Sequence, residues 1–155
     1  MDPASLAALG RAGGAAVFGI SALGSALGTG VAGMAAVGAW KRAYAQNKAA
    51  PFILVTFIGA PLSQSIYGMI LMNAVVRSAG KAVAAHTAVA WPAMLGLGLF
   101  GGLAIGASAW MQGRVGAAAA DALGETGQGF GNYLMAIGVV ETVALFVLVF
   151  IQAAL

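Results

Sequence analysis

Charge is what this sequence most lacks. Of 155 residues only 7% are charged and four are acidic, while 61% are hydrophobic and the mean hydropathy is +0.96. Soluble domains carry about 25% charged residues, so this chain has too few to cover a solvated surface. A soluble globular fold is excluded. Cysteine is absent, which removes disulfide frameworks and thiol chemistry. Period-2 alternation is missing from its long Ala- and Gly-rich runs, which argues against strands. The net charge of +3 and the pI near 9.7 come from seven basic residues scattered between apolar stretches, a pattern that argues against a nucleic-acid partner. No GxxxxGK[ST] run or anything near it occurs, so the chain is not expected to bind a nucleotide.

What remains is apolar length. Uncharged runs cover residues 12–40, 49–76 and 82–113, and residues 126–155 contain the single charge of Glu141. A helix needs about 20 apolar residues to cross the hydrocarbon core, so these runs predict four membrane-spanning helices. The first is too long for a signal-peptide core and runs into Lys41-Arg42 rather than a cleavage site, so it is read as retained. Connections are expected at 41–50, where Pro51 suits the first turn of the next helix, and at 77–85 and 118–129. The fold class is an all-α, multi-pass membrane protein with one membrane domain over residues 1–155.

A shift of 78 residues superposes Gly24 and Gly28 on Gly102 and Gly106, Val37-Gly38-Ala39 on Val115-Gly116-Ala117, and Phe52 on Phe130. The chain therefore reads as two duplicated hairpins, about 1–77 and 78–155, in parallel rather than inverted repeat. The first and third spans carry glycines at four-residue spacing, Gly24/Gly28 and Gly98/Gly102/Gly106. Small residues at that spacing let helix backbones approach closely in lipid. They are expected to face tightly packed helices, either within one chain or along the curved inner wall of a ring with the bulky second and fourth spans outside.

Glu141 is the residue that needs an explanation. It lies 16 residues beyond Glu125 and 14 before the C-terminus, about 22 Å from either end of its span. A charged side chain there costs at least roughly 2.5–3.5 kcal/mol, so it must be protonated, paired with a cation, or both in turn. Ser63, Gln64 and Tyr67 lie near the middle of the second span on one helical face. Pro61 just before them frees a backbone carbonyl and loosens the turn around Ala60. Gln112 and Glu141 are equidistant from a turn at Thr126-Gly127, which gives them the same depth. A proton needs little more than the carboxylate, whereas an alkali cation needs several oxygens to replace its water. Ser63, Gln64, Gln112, Glu141 and a carbonyl near Pro61 would supply five, with Tyr67 orienting the glutamate from behind.

The segments APLSQSIYG, WMQGRVGAAAADAL and VVETVALFVLVF resemble the proteolipid (K or c) subunit of V-type ATPases, more narrowly the bacterial sodium-translocating kind. The resemblance covers the whole chain, including loss of the carboxylate from the first hairpin. It implies a homo-oligomeric rotor ring in a bacterial cell membrane, carrying Na+ (alternatively H+) at Glu141. Its side-chain ligands map to Gln112, Gln64 and Ser63, its main-chain ligand to Ala60 and its lid-like tyrosine to Tyr67. Ser63 stands where threonine is usual and Ala60 where leucine is usual; neither change removes a ligand. Implied partners are identical copies, a stator membrane subunit, a central-stalk subunit and membrane lipids. The chain would be part of an ATP-coupled enzyme and non-catalytic by itself.

Orientation and a rival function can also be weighed. Lys41, Arg42, Lys48 and Arg114 oppose Arg11, Arg77 and Lys81, a four-to-three preference for cytoplasmic loops at 41–50 and 118–129 that the resemblance shares. Arg114 lies only about 3 Å along the axis from Gln112, so it either snorkels or marks a site nearer the interface. The rival from another class, a proton-coupled small multidrug transporter, would want aromatics around the acid. Glu141 is flanked by valine, alanine and leucine instead, and a purely structural pore-former has no use for it.

Overall fold

The computed structural model describes residues 1–155 and is entirely helical. Helix α1 runs Pro3–Ala45; short 3-10 turns at Phe52–Leu54 and Ala60–Leu62 flank α2 (Val55–Gly59); α3 is Ser63–Ala84, α4 Trp91–Thr126 and α5 Phe130–Ala154. The stretch Phe52–Ala84 acts as one broken helix, so four helices are long and apolar enough to cross a membrane. The chain is an integral, multi-pass membrane protein.

Local chemistry explains most of the boundaries. Asp2 accepts a 2.7 Å hydrogen bond from the Ser5 amide, with Pro3 in the first turn, so α1 starts on a proper cap. Helices α1 and α3 end alike. Asn47 and His86 adopt left-handed φ of 54° and 53°. The next amides, Lys48 and Thr87, each reach back 2.9 Å to the carbonyls of Ala43 and Ala82. That is the Schellman closure, which satisfies the orphan carbonyls of a helix end. Trp40 then pins the first connection by donating from Nε1 to the Pro51 carbonyl at 2.9 Å.

Two expected connections are helical instead. Residues 77–84 continue α3 and residues 118–126 continue α4. Alanine is the best helix former and a lone exposed charge does not stop a helix, so RSAGKAVA and AAADALGE carry on past the membrane boundary. The turn between α4 and α5 shrinks to Gly127–Gly129, with left-handed φ of 66° and 89° at the two glycines, a conformation that costs glycine nothing.

Helices α1 and α4 run parallel and pack almost backbone to backbone. A methyl built on Gly24 would land on the backbone of Gly106, and one on Gly28 on the Ala109 carbonyl. The close approach expected of these glycines is thus made within one chain. Helices α3 and α5 cover the other side of this pair, leaving α5 with most of its apolar surface open. Arg42 Nη2 and Asp121 Oδ1, 2.5 Å apart, tie α1 to α4 near one end; both are well exposed, so the pair adds little stability.

These contacts predict a sharp contrast. Gly24→Val forces two backbones apart and should lower the thermal stability of the detergent-purified protein by about 1–3 kcal/mol or prevent its folding. Gly30→Ala, whose new methyl meets nothing within 4 Å, should leave the melting temperature unchanged or raise it slightly.

Candidate functional site

The site forms where the second span is broken. Pro61 cannot donate to the helix ladder, and the backbone there tightens into the 3-10 turn Ala60–Leu62. The Ala60 carbonyl accepts the Ser63 amide, and Ser63 Oγ lies 3.1 Å from that same oxygen. The hydroxyl is also 3.1 Å from Gln64 Oε1; its single hydrogen serves one of these oxygens at a time.

From there the polar chain crosses helices. Gln64 Nε2 donates to Gln112 Oε1 at 2.7 Å, from α3 to α4. Gln112 Nε2 donates onward to α5, to Glu141 Oε2 and to the Ile137 carbonyl, both at 3.3 Å. Tyr67 Oη donates to the other carboxylate oxygen, Glu141 Oε1, at 2.6 Å. All six residues singled out in the sequence (Ala60, Ser63, Gln64, Tyr67, Gln112 and Glu141) therefore belong to one hydrogen-bonded cluster on three segments. Gln64 and Gln112 are completely buried, at 0% exposure, while Glu141, Tyr67 and Ser63 are half-buried. The glutamate is thus reached from one side only.

Apolar layers seal the cluster above and below. On the side of the α4–α5 turn stand Leu54, Phe57, Ala120 and Ile137, with the Phe57 ring 5.6 Å from Phe130 and 6.5 Å from Tyr133. On the other side stand Val17, Leu71, Ile105, Ala144 and Leu148. Water is excluded along the axis, which strengthens each electrostatic contact inside. The open flank of Glu141 lies on the exposed face of α5, between Val139 and Val143.

Four polar features at or near the cluster were not anticipated from sequence. Ser108 donates to the Val140 carbonyl at 2.9 Å and fixes α5 against α4 just before Glu141. The Ile137 carbonyl takes the second Gln112 hydrogen. Ser25 and Thr29 of α1 bring buried hydroxyls without partners. Serines among alanines and glycines look like small-residue packing, and only the fold distinguishes them. Arg114 is exposed and does not reach for the helix end. Its guanidinium carbon lies 5.8 Å from the centroid of the Trp110 ring, one turn back, following the N-terminal tilt of helical side chains and gaining a cation–π contact. With Gln112 directed at Glu141, Arg114 two residues on leaves α4 on another face.

Residues 95–151 match the model of the ATP synthase C-subunit family. The match runs from the start of α4 through α5 and takes in Gln112 and Glu141; Ala60, Ser63, Gln64 and Tyr67 lie outside it. No curated protein matches the chain.

The cluster makes Tyr67 a link between α3 and α5. Tyr67→Phe should destabilise the protein by about 0.5–3 kcal/mol, the range spanned by hydrogen bonds to neutral and to charged groups. In a Glu141→Leu background the same change should cost markedly less, which a double-mutant cycle of thermal melts would measure. Equal costs in both backgrounds would mean that the phenol acts through packing alone.

Proposed function

We propose that the chain is a rotor-ring proteolipid subunit of a rotary ATPase of the V-type, and that Glu141 carries Na+ across the membrane. The match of α4–α5 to the ATP synthase C-subunit family supports the coarser part, a non-catalytic membrane subunit of an ATP synthase. One observation carries the finer part. Ala60, Ser63, Gln64 and Gln112 form one chain of hydrogen bonds that ends, together with Tyr67, on the sole carboxylate of the apolar spans, through contacts of 2.6–3.3 Å.

The donor set matches the charge and size of the cargo. One carboxylate neutralises one positive charge. No group of three or more His, Cys, Asp or Glu residues gathers anywhere in the chain, whereas divalent sites recruit several anionic ligands. Ser63 Oγ, Gln64 Oε1, Gln112 Oε1 and the Ala60 carbonyl add four neutral oxygens that can replace water around a hard monovalent ion. Tyr67 donates and has no free role as a ligand, so it holds the carboxylate in position. A proton carrier would need only Glu141 and one partner, and would leave the two fully buried carboxamides without a part in binding. A drug-proton exchanger would line its acid with aromatic faces. Here Trp40 is bound to the first connection and Trp110 lies under Arg114.

In this mechanism identical copies close into a ring whose lipid-facing side includes α5. Glu141 keeps its ion while its open flank faces hydrocarbon, where a bare carboxylate is most costly. At a stator membrane subunit a basic residue from that partner competes for the carboxylate and releases the ion. The ring turns, and a central-stalk subunit transmits the rotation to the ATP-handling part. The connections after α1 and between α4 and α5, within residues 41–50 and 118–129, face the cytoplasm of a bacterial cell, with the polar helical ends of α1 and α4 extending toward the stalk.

Carbodiimide modification, which labels protonated carboxyls, tests this directly. Labelling of Glu141 should slow as sodium rises at fixed pH, with potassium far less effective. Gln112→Ala should move that protection to roughly tenfold or higher sodium, since an oxygen lost from a dry site is not replaced. Glu141→Gln should abolish labelling and transport together. Labelling that follows pH and ignores sodium would make the protein a proton carrier.

A further inference from the structure

Two hydroxyls on α1, Ser25 Oγ and Thr29 Oγ1, are buried and have no hydrogen-bond partner. Ser25 is only 2% exposed. Its neighbour Ser21 is accounted for, donating to the Val17 carbonyl at 2.6 Å. An unpaired polar group in an apolar interior is costly enough to need a reason.

The packing of α1 against α3 supplies one. These helices run antiparallel, and two contacts fix their register. A methyl built on Gly68 would meet Ser21 Cβ at 2.7 Å, and one built on Gly28 would meet Pro61 Cβ at 3.0 Å. Four residues on from Ser21 is Ser25; four back from Gly68 is Gln64. Ser25 therefore stands at the level of Gln64, on the α1 side of it and away from α5.

Gln64 has a problem that this location solves. Its Nε2 donates to Gln112 Oε1, an oxygen that a bound cation would need. When a cation draws both carboxamide oxygens, both NH2 groups must turn away from it. Gln112 Nε2 already has the Ile137 carbonyl and Glu141. Gln64 Nε2 has only Gln112 Oε1, and losing it strands a donor in a dry interior.

We propose that Ser25 is a positioning residue that accepts the Gln64 amide when the cation takes the carboxamide oxygens, so that a hydroxyl on α1 sets the sodium affinity of the site. This rests on the ion-carrier reading above. In the cation-free arrangement Gln64 donates to Gln112 and Ser25 waits unpartnered. In the loaded arrangement Gln64 rotates its amide toward α1 and its oxygen toward the ion. Ser25 can accept this bond while donating to a carbonyl of its own helix, as serines in helices do.

The test uses carbodiimide labelling of Glu141 in membranes containing the assembled protein, at fixed pH over a sodium series. Ser25→Ala should raise the half-protecting sodium concentration roughly tenfold, the effect of stranding one buried donor, while the labelling rate without sodium stays the same. Ser21→Ala should shift nothing, because that hydroxyl is engaged within its own helix. In a Gln64→Met background, which has no amide to receive, Ser25→Ala should add no further shift. A shift of the same size in both backgrounds would overturn the proposal in favour of simple packing. So would full sodium protection in Ser25→Ala beside normal protection in the parent. Absence of sodium protection in the parent itself would overturn the ion-carrier reading, and this inference with it.

Discussion

A carboxylate in the middle of a membrane cannot be left alone, and most of the fold follows from that constraint. Glu141 sits on a helix whose other faces are mainly valine, leucine and phenylalanine. Its satisfaction must come from neighbours. Tyr67 reaches it from α3 and Gln112 from α4, one to each oxygen. Holding two donors on two helices at the right depth requires those helices to be fixed against each other to within fractions of an ångström. The α1–α4 pair provides the fixed reference. Glycine facing glycine brings the backbones so close that sliding or rotating either helix would drive carbonyls into each other. Packing of this kind has few alternative arrangements, which is why small residues serve as helix adhesive in lipid.

The proline break serves the same constraint from the other side. An unbroken second helix would tie every carbonyl into its own ladder and turn Ser63 and Gln64 by its regular 100° per residue. The tight turn at Ala60–Leu62 brings the Ala60 carbonyl within 3.1 Å of Ser63 Oγ. A backbone oxygen thereby joins the side-chain oxygens. Non-helical backbone at membrane depth is tolerated only where protein covers it, and here Pro61 is buried against α1. The broken segment and the polar cluster coincide because the break creates the cluster.

Much of this was legible in the sequence, and the limits were physical. The four spans follow from runs of uncharged residues, and the shared depth of Gln112 and Glu141 follows from counting back from a turn that glycines at 127 and 129 do form. Helix ends were less legible. Charged residues mark where the membrane stops, whereas Asn47 and His86 in left-handed conformations mark where the helices stop, and these are different events. Which face Ser25 presents depends on how α1 packs against α3, a long-range fact that no local pattern encodes. Arg114 misled for a related reason: its depth was judged along the axis, but its surroundings are set by direction around α4, where Trp110 receives it.

On the proposed reading of Glu141 as an ion carrier, the hydrogen bonds of the cluster also bear on why that carriage can be reversible. Each carboxamide and each carboxylate oxygen has a hydrogen-bond partner, so the neutral groups of a cation-free site are already satisfied and only the carboxylate charge calls for an ion or a proton. A cation must therefore displace the bond between Gln64 and Gln112 before gaining their oxygens. That exchange of one set of contacts for another keeps the net binding free energy small relative to the gross attraction, for the same reason that a protein hydrogen bond is worth little net when it replaces another. A rotor needs this balance: an ion held too strongly would not leave at the stator, and a site left unsatisfied when empty would not survive the passage. On the proposed reading the two glutamines are ligands in the loaded state, and in the empty one Gln64 donates to Gln112. Replacing either with an apolar residue would unbalance both.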